Sequence, residues 1–519
     1  MLSAFRKFSH EHRERLCTGR GVQHAGGPCT RCVYALGVLI LIAELTGCAV
    51  GPNFQTPEAP DVTGYLARGG TAGSAISGQA LVRTADIPKH WWKLFHSRPL
   101  NNLIEQGIAY NADLEAAEAA LRVAQANALA QRGQLFPVVA GNFNPTRQKV
   151  ATQGLTSNAV DSANIYDLHT AQVTVSFVPD VWGGLRRQLE NAEALAEAQA
   201  YQYESVYLTL ASNIALAAIQ EASLRGQIAA TRRLIALQTQ LLEILRRQNS
   251  AGQIALPDVV AQETAVAQTR LLLPPLEKVL DQQRNLLAVL TGQFPSESTA
   301  TTFQLVSFRL PRKLPLSLPA DLVRQRPDVR VAEANFHAAN ALIGVAIANR
   351  LPQITLTGAY GSSANAMSKL FSPDTGFWTI AANAVQPILD GETLANKQKA
   401  AEAARAQSAA QYRGAVLLAF QNVSDTLRAL QADAHALNAA IAAEQSANQS
   451  IDLVRRQVEQ GQVSLPSLIN AQQAYLQTSL ARVQAEAARL ADTVALFQAL
   501  GGGWWNRPKL DALKEQTPQ

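Results

Sequence analysis

The residue best placed to do chemistry is Cys48. It ends the run Leu45-Thr46-Gly47-Cys48, where small side chains expose the preceding peptide bond to a peptidase and leave a thiol for alkylation by a diacylglycerol. Before it lies an apolar run of about eleven residues, Val33 to Ala43, too short to span a bilayer. That run is preceded by Arg6, Lys7, Arg13, Arg15, Arg20 and Arg31. The order predicts an export signal over residues 1–47 and a lipid on Cys48.

Other reactive groups are sparse. Of four cysteines, Cys17, Cys29 and Cys32 precede the cut, so no disulfide framework is expected in the mature chain. His24 with Cys29 and Cys32 resembles a metal spacing, but a segment removed on export holds no structural metal. Outside the leader none of the histidines has metal-ligand helix spacing, no nucleophile elbow is present, and no phosphate loop follows a strand. The expectation is no enzyme, no metal and no cofactor. The formal charge of +5 falls by about three with the leader, so the basic balance does not argue for nucleic acid.

The chain also repeats itself. Gly252-Gln253-Ile254-Ala255-Leu256-Pro257 returns as Gly461-Gln462-Val463-Ser464-Leu465-Pro466, about 209 residues later. Val178-Pro179-Asp180-Val181-Trp182-Gly183 returns in reduced form as Gln386-Pro387-Ile388-Leu389-Asp390-Gly391, and Leu135-Phe136-Pro137 as Arg350-Leu351-Pro352. In each Gly-Gln-x-x-Leu-Pro run, glycine suits a helix end and proline the first position of the next helix. Just past the tips stand Asp258 in the first copy and Ser467 and Asn470 in the second, with Arg455, Arg456 and Glu459 nearby.

The elements that position these residues are long helices. Aromatics are only 6% of the 519 residues, which favours close-packed helices over a globular core. Uninterrupted helical pattern runs from about Gly184 to Asn249 and from about Gly391 to Gln460. Val416, Phe420, Val423, Leu427, Leu430, Ala434, Leu437 and Ile441 step alternately by four and three, a heptad seam; Leu476, Leu480, Val483, Ala487, Leu490, Val494 and Phe497 do the same. Shorter helices are expected over about 99–134, 257–290, 320–349 and 466–500, the second kinked at Pro274-Pro275.

Strand patterns lie between the helices. Ala171, Val173, Val175 and Phe177 alternate with polar residues, with Val139, Gly141 and Phe143 as a weaker partner. Ile354, Leu356, Gly358 and Tyr360 pair in pattern with Trp378, Ile380, Ala382 and Ala384. Each strand is long enough to cross a bilayer when tilted, yet four strands cannot close alone, since lipid leaves exposed edges unsatisfied and the smallest bacterial barrels have eight. The pattern predicts a mostly α chain with a small membrane β part and an internal two-fold repeat, working as several chains together.

Trp91-Trp92-Lys93-Leu94-Phe95, Arg326-Pro327-Asp328-Val329-Arg330 with Ala332-Glu333, Ile343-Gly344-Val345-Ala346 and Leu500-Gly501-Gly502-Gly503-Trp504 resemble the outer-membrane efflux factors. That family includes TolC-type channels and lipid-anchored nodulation-type lipoproteins. The resemblance covers essentially Cys48 to Trp504. It implies a homotrimer with a shared twelve-stranded barrel, a periplasmic coiled-coil tunnel and equatorial straps. Within the chain it implies an anchor and strap over 48–98, repeats over 99–292 and 320–503, a strap over 293–319 and a tail over 504–519. It implies a passive small-molecule duct in the outer membrane, served by a periplasmic membrane-fusion adaptor and an inner-membrane resistance-nodulation-division transporter. By the same resemblance Gly252, Leu256, Pro257, Gly461, Leu465 and Pro466 dock the adaptor, and Asp258, Ser467 and Asn470 stand at the periplasmic constriction. The acidic ring found there in other members has no match at Ser467 and Asn470. A duct for secreted polypeptides, or a lipid-anchored scaffold without a pore, are the alternatives.

Overall fold

The computed structural model describes residues 49–62, 64–65, 78–83, 85–149, 165–297 and 301–507. The expected leader, Cys48, most of the first hairpin loop and the tail beyond Arg507 lie outside the described residues. The chain separates into two compact units, Met1–Ala49 and Val50–Gln519; the second carries every element below.

Strand β1 (Ala80–Arg83) precedes helices α1 (Arg98–Tyr110) and α2 (Ala112–Gly133), strands β2 (Val138–Lys149) and β3 (Ile165–Phe177), and the long helix α3 (Gly184–Ser250), which returns as α4 (Leu256–Arg270) and α5 (Leu273–Leu290). After strand β4 (Lys313–Leu316) the order repeats as α6 (Pro319–Gln325), α7 (Pro327–Ala348), β5 (Gln353–Ala364), β6 (Gly376–Val385), the long α8 (Thr393–Glu459) and its return α9 (Leu465–Ala499). Helices α3 and α8 have 67 residues each, about 100 Å at about 1.5 Å per residue. Both start on an aspartate. Asp180 accepts from the Leu185 and Arg186 amides at 2.9 Å, and Asp390 accepts from the Leu394 amide at 2.9 Å. Such side chains satisfy donors that a first turn leaves open. The two long helices start 209 residues apart, as the tips do, and Asp390 caps from one residue nearer its helix than Asp180.

Three of the shorter helices are broken where single helices were expected. Asn111 divides α1 from α2: its Oδ1 accepts from the Leu114 amide and its Nδ2 donates to the Leu290 carbonyl, both at 3.1 Å. Arg326 divides α6 from α7, extended at φ −84° and ψ 122°, because the ring of Pro327 disfavours helical geometry in the residue before it. Leu271 and Leu272 divide α4 from α5, so Pro274-Pro275 opens a new helix instead of kinking an old one. There the missing amides are not needed. Pro257 and Pro466 likewise stand second in their helices, not first.

Helices α7 on the sheet side and α9 on the tip side lie between α3 and α8; α2, α4 and α5 cover the other flank of α3. In the α8 seam Val416, Val423, Leu427, Leu430 and Ala434 are buried, Phe420 and Leu437 are half-buried, and Ile441 opens to solvent. Leu476, Val483, Ala487, Leu490, Val494 and Phe497 of α9 are buried, with Leu480 half-buried. Pro327–Ala348 is long and apolar enough to cross a membrane, but it is a packed core helix here, half buried.

The larger of the two buried clusters contains Trp91, which stacks on Phe497 at 5.3 Å between centroids with Phe95 against both. Chain segments wrap this belt: β1 and β4 pair in parallel, Ala80 with Lys313, and the fully buried Glu221 of α3 accepts from the Phe303 amide at 2.9 Å. Gly502, at φ +66°, passes so close to Leu208 that a Cβ there would stand 2.2 Å from Leu208 Cδ1.

Candidate functional site

Strands β2, β3, β5 and β6 form one antiparallel sheet in that order, so the two hairpins join through β3 and β5. The register carries Val139, Val175, Gly358 and Ile380 across as one row, and Gly141, Val173, Tyr360 and Trp378 as the next. Since successive residues face opposite sides, these rows make one continuous apolar face. It is bare: Tyr360 is 72% exposed, Trp378 73% and Ile380 81%. The opposite face carries Asn142, Thr174, Gln172, Thr357 and Thr379, with Asn142 Nδ2 donating to Thr174 Oγ1 at 2.9 Å. Among the described residues β2 and β6 have no second neighbour. An open sheet with two unpaired edges and a bare apolar face is poorly suited to water.

The two tips close identically. At the first, the Gly252 amide donates to Asn249 O at 2.9 Å and the Gln253 amide to Gln248 O at 2.8 Å. At the second, Gly461 donates to Val458 O at 3.0 Å and Gln462 to Gln457 O at 2.8 Å. With φ of +72° and +68°, both are Schellman ends that glycine accommodates without strain. Beyond the turn they differ. Leu256 is 61% exposed, whereas Leu465 is buried with Leu242, Leu245, Val259 and Leu468. Gly252, Pro257, Gly461 and Pro466 are exposed. Asp258, in the first turn of α4, and Ser467 are half-buried, and Asn470 is exposed. The structure therefore places five of the six expected docking residues on the surface and Leu465 inside.

The outer membrane efflux protein family model matches residues 103–293 and 318–502, the two repeats in succession. The chain belongs to the outer membrane efflux protein family. It is 28% identical over 472 residues to the pyoverdine export outer membrane protein OpmQ of Pseudomonas putida, covering 90% of this chain and 97% of that protein. It is also 28% identical to the probable efflux pump outer membrane protein TtgC of the same species, covering 92% and 97%. The outer-membrane channel OprN superposes with a TM-score of 0.80 at 25% identity, over 88% of this chain and all of that one. This efflux protein is an outer-membrane component of an efflux pump, in a family of transport components and not of enzymes.

A clamp at the front of the second unit escaped sequence reasoning. Arg187 donates to the Val50 and Gly51 carbonyls at 3.2 Å and to Asn53 Oδ1 at 2.8 Å. Asn340 donates to Pro52 O at 2.8 Å, and the Val50 amide to Trp182 O at 3.0 Å. Phe54 stacks on His337 with centroids 4.4 Å apart. Gly51 lies so near Gly344 that a Cβ on it would stand 2.5 Å from Gly344 Cα. No local signal could have exposed this, since Arg187 and its acceptors are more than 130 residues apart.

Proposed function

We propose that three copies of this chain close a twelve-stranded barrel and, beneath it, a helical tunnel through which small molecules leave the periplasm passively. The observation that carries this is the open four-stranded sheet, apolar on one side and polar on the other. Two copies would give eight strands, whose interior side chains fill; three give twelve, with room for a polar lumen. The helical layer needs closure too: Leu417 and Leu418 are bare on α8 at one flank, and Val123, Leu129, Leu271 and Val289 at the other. A ring joins these flanks head to tail. The test is conductance of purified protein in planar bilayers together with the mass of the detergent-extracted particle. A conducting single subunit sinks the proposal, and a trimer without conductance favours the scaffold reading.

The tips meet a periplasmic adaptor, which a resistance-nodulation-division transporter of the inner membrane supplies with cargo. Gly252, Leu256, Pro257, Gly461 and Pro466 present the surface, and Leu465 holds the second tip rigid from inside. Leu256→Glu should abolish adaptor capture by crosslinking while the trimer persists; undiminished capture removes this tip from the interface. Asp258, Ser467 and Asn470 stand at the periplasmic narrowing, and unchanged single-channel conductance in both Asp258→Ala and Asn470→Ala removes them from it. A lipid on Cys48 anchors the chain. Loss of radiolabelled acyl incorporation in Cys48→Ser tests this.

A further inference from the structure

Turned away from the straps, the helical wall carries two grooves lined without charge. Tyr207 of α3 faces Trp92, and Phe497 of α9 stacks on Trp91. Leu216 stands nine residues after Tyr207 and Ala488 nine before Phe497, which at about 3.6 residues per turn is the opposite side of each helix. There a groove of about 400 Å³ runs between α3 and α9, with Leu216, Gln220, Gln227, Gln484, Ala488 and Ala491 on its walls. Nearer the sheet, Tyr201 of α3 shares a pocket with Thr56 and Pro57 of the strap, and Asn340 of α7 donates to Pro52 O. Ala192 and Val331, nine residues before these two, line a second groove of about 580 Å³ across α3 between α2 and α7, with Asn127, Gln199, Gln202 and Asn335. No Asp, Glu, Lys, Arg or His lines either groove.

The two grooves are joined along one face of α3, where the exposed Gln202, Thr209, Asn213 and Gln220 follow one another by steps of seven and four. Charged side chains on this stretch of α3 are engaged on its other sides. Glu197 pairs with Arg330 at 3.5 Å, Glu204 accepts from Arg507 of the tail, and Glu221 accepts from Arg225 and from the Phe303 amide of the strap. The amides of the first groove hold one another in place: Gln484 Nε2 donates to Gln227 Oε1 at 3.1 Å, and Gln227 Nε2 to Ser223 Oγ at 3.2 Å.

We propose that these grooves line the bore and make this part of the tunnel wall neutral, so that it passes small molecules of either charge without retaining them. The inference rests on the channel reading above: once three chains close a ring, the straps lie outside, because inside they would fill the bore. Carboxamides offer donors and acceptors alike, and water exchanges with both, so a polar cargo gains little by stopping. A wall of one sign would instead gather ions of the other sign and raise their arrival rates by about 10–10³. At the level of these grooves cations and anions travel alike, and any discrimination by charge belongs to other levels of the tunnel.

The test uses thiol chemistry on the mature protein in detergent, since no cysteine follows Cys48. Gln202→Cys and Gln220→Cys each place a thiol in one groove, and Val306→Cys places one on the strap, where Val306 is 81% exposed. A cationic and an anionic methanethiosulfonate should modify each groove thiol at rates within about threefold of each other, against about tenfold or more beside a wall of one sign. A maleimide carried on a polymer too wide for the bore should label Val306→Cys in the folded protein, but Gln202→Cys and Gln220→Cys only after unfolding. Rates for the two small reagents that differ by about tenfold or more overturn the neutral wall. Polymer labelling of both groove thiols as fast as that of Val306→Cys, in a particle that is a trimer, overturns their place in the bore. A particle that sediments as one subunit refutes the channel reading instead.

Discussion

Replacing Ile380 by arginine separates a lipid-facing sheet from one in water. Ile380 is the fifth of ten residues in β6 and 81% exposed. At about 3.4 Å per residue and a tilt near 40°, ten residues rise about 26 Å, close to the apolar band of an outer-membrane barrel, so Ile380 falls near its middle. Arginine there costs about 2–4 kcal/mol per chain, or about 6–12 kcal/mol over three copies of the proposed trimer. In water the same exposed site would tolerate the change within about 0.5 kcal/mol. Thr379→Arg, one residue away on the polar face, is the control and should be nearly neutral. The assay is folding into bilayers of defined thickness under urea titration, read by the fraction of protease-resistant trimer. If Ile380→Arg inserts as well as Thr379→Arg, the rows through Val175, Tyr360 and Ile380 do not face lipid.

Leu427→Ala, in the buried α8 seam, should cost about 2–5 kcal/mol, seen as a lower urea midpoint for the helical signal. Leu417→Glu, on the bare flank of α8 where Leu417 is 72% exposed, should leave helix content unchanged but yield smaller particles in sedimentation. Gly502→Ala meets both a left-handed backbone and a Cβ 2.2 Å from Leu208 Cδ1; a loss of about 2–4 kcal/mol is expected, and an unchanged thermal midpoint contradicts it. Arg187→Ala removes the donors that hold Val50, Gly51 and Asn53. Hydrogen exchange at residues 50–54 should rise at least tenfold, while exchange in the α8 seam stays the same.

Much of the architecture was legible because periodicity and duplication are local properties. The steps of four and three in α8 marked residues that, apart from the half-buried Phe420, the structure buries as far as Ala434; beyond it Ile441 opens, since contact with a neighbour is not written in the step. The strand faces were legible for the same reason, as alternation fixes which residues share a side. Helix breaks were harder. Pro327 acts on Arg326 by local sterics and was overlooked, whereas the break at Asn111 depends on the Leu290 carbonyl, which the fold brings from the other end of the repeat. The docking and constriction residues came from resemblance alone, and the two tips have the same motif yet bury their leucines differently.

The sequence by itself determined the repeat, the long helices and the two-faced strands, because each follows from spacing along the backbone. Tertiary structure decided which residues meet: Arg187 with Val50, Glu221 with Phe303, Asn111 with Leu290, Trp91 with Phe497. Those pairings depend on how helices about 100 Å long are set against one another, and a shift of one turn, about 5.4 Å, would exchange every partner while leaving each helix's own pattern intact.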